Sequence, residues 1–153
     1  MTFWEKCWMT HGIDTDFLVA LEIVDHPFHL HAERLLGNLL DEGHDFALAP
    51  QTLAEFIHIV TDARRMPVPL TMRDAVNRAE HWWEAKEVIR VMPEGRSLSH
   101  FFEWLHRHQI GRKRLLDTLL ASTFQTAGVS RIITNNAGDF EVLGGFTLVS
   151  FQK

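Results

Sequence analysis

The sequence has very little cysteine, since Cys7 is the only one among 153 residues. A single cysteine excludes an internal disulfide and a CxxC site, and it favours a reducing compartment. Long apolar runs are also missing, because none approaches the roughly 20 residues of a transmembrane helix. No basic stretch leads into an apolar one at the N-terminus, which argues against secretion. We therefore expect a cytoplasmic protein with no membrane partner.

Positive charge is in short supply as well, with a formal net charge of −5. That balance argues against a simple nucleic-acid coat, which would normally be basic. It does not exclude a nuclease, because acids gathered around a metal count in the same sum. Several of the basic residues are clustered between positions 107 and 114, with Arg112, Lys113 and Arg114 adjacent.

Common catalytic signatures are absent too. The chain has no Gly-x-Ser-x-Gly motif, and its glycines are too scattered for a phosphate-binding loop. Ten histidines are present, and His26, His29 and His31 invite a zinc interpretation. Their spacing matches no closed zinc site, and no cysteine lies nearby. Surface or helix-start positions are the default expectation for them.

Apolar periodicity predicts strands that alternate with helices along the chain. We expect strands at 9–14, 46–49, 88–92, 131–134 and 146–149, and helices at 16–24, 28–42, from 51 to about 65, 71–87, 98–108 and 115–127. Trp82 and Trp83 fall in one helix and indicate packing, with one ring partly outward. This alternation predicts an α/β fold: one domain with a central, mainly parallel sheet of about five short strands and helices on both faces. We place that domain at 11–153, after an N-terminal extension at 1–10.

Acidic residues fall where such a fold builds its sites. Helix N-termini and strand C-termini share one edge of a parallel α/β sheet. Asp14 ends the first predicted strand, and Glu55 lies in the first turn of the helix after the second. Asp117 opens the helix before the fourth strand, and Asp139 follows that strand, three residues after Asn136. The sequence therefore predicts four acids at one edge.

Each of these acids also has a purely structural interpretation. Acidic and hydroxyl side chains accept hydrogen bonds at helix starts and in turns. Asp14 fits a helix N-cap, Glu55 a capping box with Thr52, Asp117 a first-turn acid, and Asp139 a turn with Gly138.

Convergence of the acids would require a cation, because clustered carboxylates repel one another and raise each other's pKa. Ligation by oxygen alone favours Mg²⁺ or Mn²⁺ over Zn²⁺. Such an ion could activate a water against a phosphodiester. The basic residues at 107–114 would then hold a nucleic-acid backbone, or they form a solvated loop.

Four motifs, in order, resemble those of PIN-domain ribonucleases. They are Gly-Ile-Asp14-Thr15-Asp16-Phe-Leu, Ala-Pro-Gln-Thr-Leu-Ala-Glu55-Phe, Leu-Leu-Asp117-Thr-Leu-Leu-Ala-Ser and Ile-Ile-Thr134-Asn135-Asn136-Ala-Gly-Asp139-Phe. The match covers nearly all of the chain after residue 10. The length is most similar to that of VapC toxins from VapBC toxin–antitoxin pairs.

The resemblance implies a Mg²⁺- or Mn²⁺-dependent endoribonuclease, usually a homodimer. It further implies inhibition by a VapB-like antitoxin whose C-terminal segment occupies the active-site groove. The implied acidic ligands are Asp14, Glu55 and Asp117, with Asp139 as the fourth acid. By the same resemblance, hydroxyls and an amide support the site: Thr15, Thr134 and Asn136.

Two departures from the family pattern bear on the metal. Asp16 stands where the opening motif has Asn, which adds negative charge. Asn136 stands where some relatives have an acid, so either Asn136 or Asp139 completes the metal shell. An alternative function is a catalytically inactive PIN-like binding module whose acids are helix caps.

Overall fold

The fold is built on a parallel sheet of five strands. The computed structural model describes residues 8–152, and the strands are β1 (Thr10–Ile13), β2 (Asp45–Leu48), β3 (Val88–Arg90), β4 (Arg131–Ile133) and β5 (Thr147–Val149). Their order is β3-β2-β1-β4-β5, and every neighbouring pair is parallel. The chain runs from β1 to β2 and β3 on one side and then crosses to β4 and β5 on the other, so the strand order reverses between β1 and β4. Open α/β sheets place their sites at such a point.

Helices connect these strands, and several begin for a visible local reason. Pro50 occupies the first turn of its helix, where a missing N–H has no cost. The Thr71 hydroxyl accepts a hydrogen bond from the Asp74 N–H, and Glu94 forms a capping box with Ser97. The helices are α1 (Thr15–Glu22), α2 (His29–Asp41), α3 (Pro50–Val60), α4 (Met72–Glu84), α5 (Gly95–His108), α6 (Leu115–Thr126) and α7 (Gly138–Glu141), and a 3₁₀ turn (Arg112–Arg114) precedes α6.

The sheet divides the core into two apolar layers. Alternate strand residues point to opposite faces, so Ile133 packs with α1–α4 while its neighbour Ile132 packs with α5 and α6. Phe17 and Phe56 are large buried side chains of the first layer, and Phe124 is one of the second. Both faces of the sheet are therefore covered, as the sequence predicts.

One close approach joins the central strand to α6. A Cβ atom on Gly12 would lie 2.7 Å from the ring of Phe124, which is fully buried. Since the backbone of Gly12 is ordinary β-strand, the requirement here is for space. The absence of a side chain lets α6 lie close against β1.

The predicted fold class is confirmed, and local boundaries need correction. Glu55 is the sixth residue of α3 and lies in its second turn, because the helix already begins at Pro50. The capping box proposed for Thr52 and Glu55 is wrong. The helix N-cap is Ala49, and the Thr52 hydroxyl donates to the Ile13 carbonyl instead.

Three further expectations concern the tryptophans, the N-terminal extension and membrane helices. Trp82 and Trp83 are both partly buried, and the Arg90 guanidinium lies 5.1 Å from the Trp83 ring centroid. Most of the predicted extension lies outside the described residues, although Thr10 already belongs to β1. No helix within residues 8–152 is both long and apolar enough to cross a membrane.

Candidate metal centre

Asp14 lies at the centre of the edge formed by the strand C-termini. It caps α1, and its Oδ1 accepts a hydrogen bond of 2.8 Å from the Thr15 N–H. Its Oδ2 accepts one of 2.8 Å from the Thr134 hydroxyl, at the end of β4. The side chain is only 4% exposed. The helix cap and the hydrogen bond from Thr134 together hold the Asp14 carboxylate in one position. A fixed carboxylate can both cap α1 and bind a cation.

Asp16 is bound to the loop after β4. Its Oδ2 accepts from the Asn135 N–H at 2.8 Å and from the Asn136 side-chain amide at 3.3 Å. Its Oδ1 is buried without a hydrogen-bond partner, and so is the Thr15 hydroxyl. Burial raises the pKa of Asp16 to about 6, although hydrogen bonds to its carboxylate oppose the shift. The extra acid is therefore held in place by the same loop that carries Asn136.

The pKa of Asp117 depends on carboxylates from several separate segments of the chain. Burial, the charge of Asp14, a hydrogen bond with Asp139 and the charges of Asp139 and Glu55, in decreasing order, together raise the pKa of Asp117 to about 8. Burial and the charge of Asp16 raise the pKa of Asp14 to about 7. Carboxylates from α1, α3, α6 and α7 therefore lie close enough to affect one another's ionisation.

Asp139 also forms an ion pair with an arginine. Arg114 Nε lies 3.3 Å from Asp139 Oδ1, so one of the three predicted RNA-binding residues contacts the acidic cluster itself. Arg112 and Lys113 lie in the same 3₁₀ turn and are exposed. The basic segment thus begins directly beside the carboxylates.

The donor set suits a hard cation that keeps part of its water shell. Within the described residues, no three His, Cys, Asp or Glu side chains are arranged to share one ion directly. Mg²⁺ is usually held by one or two carboxylates plus water, so that arrangement is not required. Clustered carboxylates with raised pKa values gain from a nearby cation. The unpartnered oxygens of Thr15 and Asp16 lie in this cluster, and they could accept hydrogen bonds from the ion's waters.

Two of the three histidines of the zinc hypothesis make other contacts. His29 Nδ1 lies 2.8 Å from the Ala20 carbonyl oxygen, and its Nε2 lies 3.1 Å from Glu33. His26 Nδ1 accepts the Phe28 N–H. Neither residue is arranged as a zinc ligand.

Two clefts adjoin the carboxylate cluster, one on each side. We call the first the leucine cleft; it has a volume of about 260 Å³ and lies between α3 and α6. Its lining is Gln51, Thr52, Ala54, Glu55, His58, Leu116, Asp117 and Leu120. We call the second the amide cleft; it has a volume of about 240 Å³. Its lining is Asp16, His26, Phe28, Asn135, Asn136, Phe151 and Gln152.

The sequence singles out only part of the lining of these clefts. Gln51 stands in the second motif and at the predicted start of a helix, and its side-chain amide donates to the Thr123 hydroxyl of α6. Phe151 was not singled out, although a large apolar residue after the last strand signals a buried C-terminal segment. The ion pair between Arg114 and Asp139 has no local sequence signature.

Comparison with known proteins identifies the fold. No family model matches the chain, and no curated protein matches it at a significant level. Three solved structures are similar along most of their length. VapC20 of Mycobacterium tuberculosis, a sarcin–ricin-loop-cleaving toxin, is 19% identical, with coverage of 79% of this chain and 85% of its own and a TM-score of 0.62.

The other two are toxin–antitoxin complexes. VapBC-1 of nontypeable Haemophilus influenzae is 18% identical, with coverage of 95% and 100% and a TM-score of 0.65. VapBC2 of Rickettsia felis, bound to a promoter DNA fragment, is 16% identical, with coverage of 93% and 98% and a TM-score of 0.66. At such identities the similarity concerns the fold. The chain has the fold of a VapC-like PIN domain.

Proposed function

We propose that this protein is a Mg²⁺- or Mn²⁺-dependent endoribonuclease, the toxin of a VapBC-type pair. The observation that carries the proposal is the convergence of carboxylates from four helices at one edge of a VapC-like sheet. Burial and, after it, mutual repulsion raise the pKa of Asp14 and Asp117, and a divalent cation would relieve the repulsion. A chain that used these acids only as caps would have no need to bring them together.

In this mechanism, Asp14, Glu55 and Asp117 would hold the ion together with Asn136 or Asp139, in part through its retained water. The bound ion would supply an activated water and neutralise charge at the phosphodiester. Thr134 holds the Asp14 carboxylate in position. Arg114 holds Asp139 in position, and the exposed Arg112 and Lys113 beside it contact the substrate's phosphates.

Two further parts of the proposal concern partners. A VapB-like antitoxin would insert an apolar side chain into the leucine cleft, where Leu116 is 63% exposed. The protein would also form a homodimer through the side of the fold that carries α4. There Val68 is 81% exposed and Met72 60% exposed, and burial of these side chains against a second copy would stabilise the pair. Both assemblies would form in the cytoplasm.

The dimer is tested by light scattering after gel filtration. Met72→Asp should shift the protein to the monomer, because the charge could not be buried at the interface. Met92→Asp, at another exposed methionine, is the matched control. A wild-type protein that is monomeric throughout would remove homodimerisation from the proposal.

Metal binding is tested by thermal unfolding with increasing Mn²⁺. At a concentration far above its dissociation constant, the ion should raise the melting temperature by roughly 5 °C or more. Asp117→Asn should lose most of the shift, whereas Asp41→Asn, an exposed acid at the end of α2, should keep it. Cleavage of a structured RNA with millimolar Mg²⁺ or Mn²⁺ is the activity measurement.

A binding module without catalysis predicts the opposite pair of results. The melting temperature would not respond to Mn²⁺, and the RNA would stay intact under the same conditions. That outcome would leave Asp14 as a helix cap and nothing more.

A further inference from the structure

The amide cleft combines an apolar interior with polar groups at its rim. Phe151 is 1% exposed and forms the floor, and Phe28 packs against it edge to face at a ring-centroid distance of 6.4 Å. Three amide residues, Asn135, Asn136 and Gln152, belong to its lining, and the last two are exposed. The cleft therefore offers an aromatic wall together with hydrogen-bonding groups.

The ring of His26, in this cleft, has one nitrogen that is a hydrogen-bond donor. Because His26 Nδ1 accepts the Phe28 N–H at 3.0 Å, the proton of the neutral ring lies on Nε2. Burial lowers the pKa of His26, which keeps the ring neutral near pH 7. The His26 ring also lies 5.9 Å from that of Phe28. This part of the cleft is thus fixed in position and presents an N–H donor.

The two asparagines are fixed as well. Asn135 Oδ1 accepts hydrogen bonds from the Ser150 hydroxyl at 3.0 Å and the Phe151 N–H at 2.9 Å, which leaves its side-chain NH₂ as a donor. Asn136 donates to Asp16, which leaves its side-chain oxygen as an acceptor. Through Asp16, the amide cleft is continuous with the carboxylate cluster.

We infer that the amide cleft binds one unpaired nucleobase of the nucleic acid whose phosphodiester meets the carboxylate cluster. Unpaired bases are recognised by stacking on aromatic side chains and by hydrogen bonds to their edges. Phe28 and His26 supply the aromatic surface, and the rim amides supply donors and acceptors. The inference rests on the proposed nuclease function for the position of the phosphate, whereas the base contacts follow from the cleft itself.

An aromatic side chain of a partner protein is a poorer match to this cleft. It could stack on Phe28, but it would leave several amide groups of the rim without partners. A ligand that displaces the water on these amides without replacing its hydrogen bonds loses affinity. A base satisfies them along its edge, and this is also the usual source of strong discrimination between ligands. The leucine cleft, with its apolar walls, is the better site for a protein side chain.

The first test measures binding alone, with the full chain and no metal. The probes are short single-stranded 2′-O-methyl homopolymers of each base, and an abasic ribose-phosphate oligomer of the same length. The homopolymer that binds best should exceed the abasic probe by about tenfold in affinity. Phe28→Leu should remove most of that difference, and Phe28→Tyr, which keeps the ring, should restore it.

Two glutamine variants, one inside the cleft and one outside it, distinguish an effect of the cleft from a general effect on binding. Gln152→Ala should reduce the preference among the homopolymers severalfold. Gln125→Ala, at an exposed position on α6, should leave the preference unchanged. If Phe28→Leu and Gln152→Ala bind every probe as Gln125→Ala does, the inference is wrong. It is also wrong if N-acetyl-tryptophanamide, but no oligonucleotide, shifts the NMR signals of His26 and Phe28.

The second test uses cleavage, with Mn²⁺ and an RNA carrying one abasic residue next to the cleaved bond. Removal of the base and the Phe28→Leu change should each lower kcat/KM by about tenfold, and together they should lower it no further. Independent, multiplicative losses would overturn the inference. If the wild-type protein cleaves nothing but keeps the base-dependent binding of the first test, the proposed nuclease function fails while the base site stands.

Discussion

The two clefts share the carboxylate cluster but differ in the chemistry of their other walls. The leucine cleft is formed by two helices and has aliphatic walls, with Leu116 at its opening. The amide cleft is formed by loops and the C-terminal segment, and it has aromatic and amide walls. The shared acids favour a metal ion and a phosphate group, whichever cleft the rest of the ligand enters. Selectivity for a partner must therefore come from the clefts, which belong to different parts of the chain.

The largest expected effect comes from the acids themselves. Asp117→Asn should reduce RNA cleavage by at least about a hundredfold, and Asp14→Asn should do the same while keeping the cap, since Asn also caps helices well. The melting temperature of metal-free Asp117→Asn should not fall at neutral pH, because Asn has the shape of the protonated carboxyl group that a pKa of about 8 gives Asp117 there. Steady-state cleavage and calorimetry check both statements. Wild-type rates in both variants would mean that the clefts belong to a binding module.

A change in the leucine cleft should affect the protein partner alone. Leu116→Ala removes an exposed apolar side chain and should weaken binding of an antitoxin, encoded in an adjacent reading frame, by about tenfold. Affinity for short single-stranded oligonucleotides should stay unchanged. Leu40→Ala, at a partly exposed leucine on α2, is the control for calorimetric titrations. Equal losses for RNA and antitoxin would show that the two clefts are not distinct in function.

The basic residue beside the acids should have an intermediate effect. Arg114→Ala removes the contact with Asp139 and one positive charge near the substrate, so kcat/KM should fall about fivefold. Lys113→Ala removes the same charge without that ion pair and should have a smaller effect. Measurements at two salt concentrations separate the two contributions, because only the phosphate contact depends strongly on salt. Equal losses for both variants would argue against a positioning role for Arg114.

The smallest effect concerns pH and the metal-free protein. The folded-state pKa values of Asp117 and Asp14, about 8 and about 7, exceed the value of 3.8 for a free side chain. The folded state therefore binds more protons than the unfolded state, and stability should rise as pH falls from about 8.5 to about 6.5. Below about pH 6.5 the buried His11, whose pKa is lowered to about 4, opposes this trend.

The measurement is the melting temperature across that upper window, where a gain of a few degrees is expected. Asp117→Asn should flatten the dependence, and saturating Mn²⁺ should do so as well, because the ion favours the ionised carboxylates. A melting temperature that rises with pH in the metal-free protein would contradict the assignment.

The architecture was predictable because its signals are local and repeated. Periodicity of two or of 3.6 residues, with breaks at proline and glycine, identifies each strand and helix. The edge position of Asp14 and Asp117 then follows from the geometry of parallel sheets. Glu55 shows the limit of this reasoning. The helix α3 starts at Pro50, one residue before the predicted start, and Glu55 is its sixth residue, so it lies in the second turn and not in the first.

The clefts could not be predicted, because residues far apart in sequence form them. Phe28 lies in the loop before α2 and Phe151 lies near the C-terminus, and nothing in either segment specifies the other. The same is true of the hydrogen bond between Asp16 and Asn135. Contacts of this kind depend on how loops meet after the core has packed.

The close contact between Gly12 and Phe124 has a consequence for how the protein can change. Asp14 stands two residues after Gly12, directly beyond the end of β1, and Asp117 lies on α6, whose Phe124 packs against Gly12. The separation of the two carboxylates is therefore set in part by a missing methyl group in the interior. Addition of that methyl group would change the distance between the Asp14 and Asp117 carboxylates without altering any side chain proposed to contact metal or nucleic acid.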